Sequence, residues 1–65
     1  MKKYYNFETM FTSLRDELRS YLKNNNIYYE LSKAYQYYHF EILASPAEVE
    51  KVNNFIDSVS ITEVV

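Results

Sequence analysis

Glycine occurs nowhere in the 65 residues. Loops that cradle phosphates need glycine where the backbone approaches the ligand, so no such loop is encoded, and neither is a flexible glycine linker. Cysteine is also absent, which excludes disulfides and thiolate metal sites, and the single histidine, His39, cannot anchor a metal ion alone. With one proline, Pro46, and no glycine, no internal boundary is visible, and a chain this short supports one domain, residues 1–65. The fold must be held by side-chain packing, with no cofactor to build around.

A strong charge of one sign is missing too. Nine acidic and seven basic residues are spread along the chain and leave a net charge of −2. That balance argues against recruitment of nucleic acid, and it falls short of the dense acidic surface that copies a phosphate backbone. Long apolar runs are lacking as well. Met1-Lys2-Lys3 begins like a signal peptide, but Asn6, Glu8 and Thr9 interrupt the apolar stretch of about 7 residues or more that such a peptide requires. No segment approaches the roughly 20 apolar residues that span a bilayer. The expectation is a chain without membrane contact, in the cytoplasm.

What remains is rich in large side chains. Hydrophobic residues make up 48% and aromatics 18%, with eight tyrosines and four phenylalanines, which is far above a disordered tail and predicts a folded core. Apolar residues at Phe7, Met10, Phe11, Leu14, Leu18, Tyr21 and Leu22 follow the spacing of one helical stripe and predict a helix from Phe7 to about Lys23. Asn6 would serve as its N-cap, Glu8 would suit its positive end and Lys23 its negative end. Asn24-Asn25-Asn26 would stop it, because asparagine tolerates left-handed backbone.

From Ile27 to Ala44 the β-formers are concentrated and favour two strands. Ile27, Tyr29 and Leu31 would share one face, matched by Tyr38, Phe40, Ile42 and Ala44. The turn would lie near Lys33 to Gln36, and the absence of glycine there points to a longer loop rather than a tight two-residue turn. Leu31, Ala34, Tyr35, Tyr38 and Ile42 also fit a helical stripe, so a helix competes over this segment. Ser45-Pro46-Ala47-Glu48 carries a capping box with proline at the first helical position, and predicts a helix with Val49, Val52, Ile56 and Val59 buried and Phe55 beside them. Two short strands are expected at the termini, one over Lys2 to Asn6 and one over Ser60 to Val65.

The element order is β-α-β-β-α-β, which resembles the ferredoxin-like arrangement; without the terminal strands it reduces to α-β-β-α. Either way the expected class is α+β, a small antiparallel sheet with two helices on one face. Tyr28, Tyr35, Tyr37, His39 and Glu41 would lie on the opposite face as a protein interface, tyrosine being enriched at the energetic centres of such interfaces. The same aromatics could stack single-stranded nucleic acid, but Glu30 and Glu41 share the face and oppose it. His39 beside a carboxylate could act as acid or base, yet no nucleophile or glycine loop accompanies it, so no catalytic residue, cofactor or metal is assigned.

In size, lack of cysteine and absence of enzymatic motifs the chain resembles the small proteins with which phages and mobile elements inhibit host enzymes or defence systems, anti-CRISPR proteins among them. The resemblance implies a stoichiometric, non-enzymatic inhibitor of a host protein or defence complex. A dimeric module that senses a small ligand is the alternative, with single-stranded nucleic-acid binding third.

Overall fold

A computed structural model describes residues 1–59 of the chain; the strand expected over Ser60 to Val65 lies outside the described residues. The elements run β1 (Lys3–Thr9), α1 (Thr12–Asn24), β2 (Tyr28–Ala34), β3 (Tyr37–Ala44) and α2 (Pro46–Ser58). The strands form one antiparallel sheet in the order β1-β3-β2. The class is therefore α+β, and the segment for which helix and hairpin competed is a hairpin.

Alternation explains the strands. On β3, Phe40, Ile42 and Ala44 point one way and are buried, and they meet Leu18 and Leu22 of α1 and Val52 of α2 in a single cluster. Both helices thus cover one face. Phe40 lies between Phe7 of β1 and Tyr29 of β2, with ring centroids 6.4 and 5.9 Å away. Tyr21 of α1 stacks on Phe55 of α2 at 4.2 Å and ties the two helices together. Val49, Phe55 and Ile56 pack around Val52 on the face that the helical spacing predicts. Of the expected stripe, however, only Val52 is fully buried, and Val59 lies past the helix as its C-cap, half-buried. Among the described residues no helix is long and apolar enough to cross a membrane.

The start of α1 differs from the reading by spacing. Phe7 belongs to β1, opposite Phe40, and Asn6 pairs with Glu41 instead of capping a helix. Glu8 faces His39 across the sheet, not a helix N-terminus. Phe7 satisfies both periods, but Tyr5, Phe7 and Thr9 alternate onto the core face, and extended backbone gives each of them a ladder partner on β3. The helix begins at Thr12 with Phe11 at its N-cap position; the Phe11 N–H is taken up by the Thr9 hydroxyl at 3.1 Å.

The asparagine stop works as expected. Asn26 has φ 56°, and the N–H groups of Asn26 and Ile27 donate to the carbonyls of Lys23 and Leu22 at 3.2 and 2.9 Å. This is the Schellman pattern, with buried Ile27 against buried Leu22 as its apolar contact. The hairpin turn, by contrast, is tight: Ala34 pairs with Tyr37, leaving only Tyr35 and Gln36 between the strands. Tyr35 has φ 58°, a value that favours glycine. Continuous pairing on both sides leaves no residues for a longer loop, so tyrosine carries the strain.

The second helix starts as the sequence predicts. The Ser45 hydroxyl accepts from the Glu48 N–H at 3.3 Å, and the Glu48 carboxylate accepts from the Ser45 N–H at 2.9 Å. That N–H, more than the hydroxyl or the nearby Lys2 and Lys51, holds the Glu48 carboxyl below the ordinary glutamate range.

Two stability changes follow. Tyr35→Gly relieves the positive φ and raises stability by about 1 kcal/mol, less the greater freedom of glycine in the unfolded chain; a lower melting temperature would show that the turn is unstrained. Ser45→Ala lowers stability by about 1 kcal/mol. Because the folded Glu48 carboxyl is depressed, its contribution is present above its unfolded value and lost as pH falls through the folded one. The difference in melting temperature between wild type and Glu48→Gln should therefore be largest near neutrality and shrink as pH falls through and below the ordinary glutamate range.

Candidate protein-binding face

The same alternation that buries Phe40 sends Tyr37, His39, Glu41 and Leu43 of β3 to the other side of the sheet, which no described element covers. Register then decides what lies beside them. Leu43 is opposite Tyr4 on β1 and Tyr28 on β2, which makes an apolar row across all three strands. Tyr4 and Tyr28 are 57% and 53% exposed, well beyond what a filled core would leave. The next row is Asn6, Glu41 and Glu30, and the one after it Glu8, His39 and Ser32. Tyr37 stands at the hairpin end, 44% exposed.

Of the residues expected at an interface, Tyr28, Tyr37, His39 and Glu41 lie on this face together. Tyr35 does not. It sits in the two-residue turn, 97% exposed, because its positive φ takes it out of the strand alternation. Tyr4, Leu43 and Glu8 were not singled out from the sequence. Parity was a usable signal for Tyr4 and Leu43, since each neighbours a core-facing residue, but reading Glu8 as part of a helix hid the third.

Chemically the face is acidic and aromatic. Glu8, Glu30 and Glu41 are on it, and no lysine or arginine is. Glu30 and Glu41 are direct cross-strand partners, an arrangement in which like charges repel. The His39 Nδ1 is 3.7 Å from the Glu8 carboxylate, an ion pair when the imidazole is protonated but too long for a hydrogen bond. Ser32 is the cross-strand neighbour of His39, yet no hydrogen bond joins them. Among the described residues no group of three or more histidines or carboxylates converges to hold a metal ion. A small apolar notch of about 60 Å³ lies elsewhere, between β1 and α2, lined by Tyr5, Phe7, Ile42, Val49, Val52 and Ile56.

No family model, no curated protein and no solved structure matches the chain.

The like-charge pair yields a test. Glu30→Gln should raise stability by about 0.5 kcal/mol at low salt, and the gain should shrink in 1 M salt as the repulsion is screened. An unchanged melting temperature in both conditions would mean that the two carboxylates swing apart into water.

Proposed function

We propose that this is a non-enzymatic protein-binding domain that acts by stoichiometric occupation of a partner, as an inhibitor or modulator of the host-directed kind that phages and mobile elements use. The observation that carries this is the row Tyr4, Leu43 and Tyr28, with Tyr37 beyond it, set on an uncovered sheet face. Rings with a polar tip anchor interfaces at small entropic cost, and an apolar row across three strands is the part of this surface that gains most from leaving water. Surrounding carboxylates choose the partner. Two copies stacked face to face would oppose Glu8, Glu30 and Glu41 of each, so a foreign protein that supplies lysine or arginine fits better than a second copy. The absence of cysteine suits a cytoplasmic setting.

We also read the fold as ferredoxin-like in its finer order. Support comes from β3, which lies between β1 and β2 as in a split β-α-β unit.

Affinity capture from a host lysate with mass spectrometry identifies the partner, and the double variant Tyr4→Ser, Tyr28→Ser tests the face. It should keep the far-ultraviolet circular dichroism of the wild type and bind at least about 30-fold more weakly, equivalent to about 2 kcal/mol. Retention of every captured partner at wild-type affinity by a folded double variant would remove the face from the function.

A further inference from the structure

Among the described residues strand β2 is an outer strand of the sheet, and its edge away from β3 runs beside a basic flank of α1. The hairpin geometry fixes which backbone groups that edge offers. In a two-residue hairpin the residues flanking the loop, Ala34 and Tyr37, form a hydrogen-bonded pair, and bonded and non-bonded pairs then alternate along the ladder. Tyr29, Leu31 and Lys33 fall on the non-bonded pairs, so their N–H and C=O groups point away from β3 toward the open edge. Their side chains lie on the helix side of the sheet.

Above that edge, Arg15, Arg19 and Lys23 succeed each other at four-residue spacing on α1, and Lys33 rises from β2 itself. Arg15 and Lys33 both sit over the Tyr38 ring, at 4.6 and 5.5 Å from its centre. Arg15 is already engaged by Asp16, its Nη2 at 2.8 Å from the carboxylate. Among the described residues no ion pair joins Arg19, Lys23 or Lys33 to a carboxylate. Arg19 and Lys23 line an open groove of about 330 Å³ between α1 and β2, with Asp16, Ser20 and Tyr29. The chain carries net negative charge. Although Asp16 lies within electrostatic reach of Arg19 and Lys33 rests on the Tyr38 ring, the cations outnumber the one carboxylate of this groove and make the strand edge a local reversal of sign.

We infer that the β2 edge takes up an acidic extended peptide segment of a partner protein, which adds as a further strand and turns alternate carboxylates toward Arg19, Lys23 and Lys33. Strand addition accounts for both features: main-chain bonds to Tyr29, Leu31 and Lys33 supply the docking, and the cation row selects the sequence. A second copy is a poorer occupant, since β2-to-β2 pairing sets each copy's basic flank against its twin. A nucleic acid meets the cations but has no strand backbone to offer the edge. This surface is separate from the tyrosine face, and its test does not depend on that face.

The full chain is titrated with capped hexapeptides of alternating glutamate and valine, and with the same peptide carrying lysine for glutamate, while amide exchange is followed residue by residue. The glutamate peptide should bind at least tenfold more tightly than the lysine peptide. It should slow exchange at Tyr29, Leu31 and Lys33, and leave Glu30, Ser32 and Ala34, whose amides face β3, unchanged. The folded double variant Arg19→Glu, Lys23→Glu should lose the preference. Equal affinity for both peptides, tight binding of the glutamate peptide without protection at the three outward amides, or preference for an oligothymidylate over the peptide would each overturn the inference. If the double variant fails to fold, the wild-type exchange pattern alone decides.

Discussion

Everything in the structure depends on the burial of Phe40 at the centre of the middle strand. Its ring is fully enclosed, held between Phe7 and Tyr29 within the sheet and roofed by the leucines of α1. A domain of this size has few side chains to spend on a core, and without cysteine no disulfide supplements them. Placing the largest fully buried ring on the strand that both other strands pair with lets three strands and two helices share it.

That economy has a consequence for the opposite face. With both helices committed to one side, the alternation that buries Phe40, Ile42 and Ala44 necessarily presents Tyr37, His39, Glu41 and Leu43 on the other. No described element forms a third layer over them. An uncovered face could be made wholly polar, and here it is not: an apolar row runs across it at Tyr4, Leu43 and Tyr28. The aromatic content noted in the composition is therefore divided, Phe7, Phe40, Phe55, Tyr21 and Tyr29 serving the core and Tyr4, Tyr28 and Tyr37 the surface.

Local chemistry made much of this legible. The second helix was readable to the residue at its start, because a capping box and a proline act within four positions, and the asparagine stop of α1 was equally local. The central strands followed from β-branched and aromatic content, and parity alone placed Tyr28, Tyr37, His39 and Glu41 on one face. What failed was non-local. Phe7 fits a helical stripe with Phe11 and Leu14 as well as it fits a strand, and only the partner Phe40, thirty-three positions away, decides between them. The turn failed for the related reason that tight pairing of Ala34 with Tyr37 outweighs the preference of Tyr35 for negative φ. Register is likewise invisible locally, so the meeting of Tyr4 with Leu43 and of Glu8 with His39 could not be read.

Charge follows the same division into sides. A net charge of −2 reads as near neutrality, yet the fold sorts it: Glu8, Glu30 and Glu41 go to the uncovered face, while Arg15, Arg19, Lys23 and Lys33 gather where α1 passes over the β2 edge. The sorting is a product of topology. Alternation sends even-numbered positions of β1 and β2 outward, which carries Glu8 and Glu30 to the open face, and the same alternation turns Lys33 back toward the helix. Surfaces of opposite sign on so small a body give it a directional field that its net charge conceals, so a charged molecule approaching one side is attracted and one approaching the other is repelled.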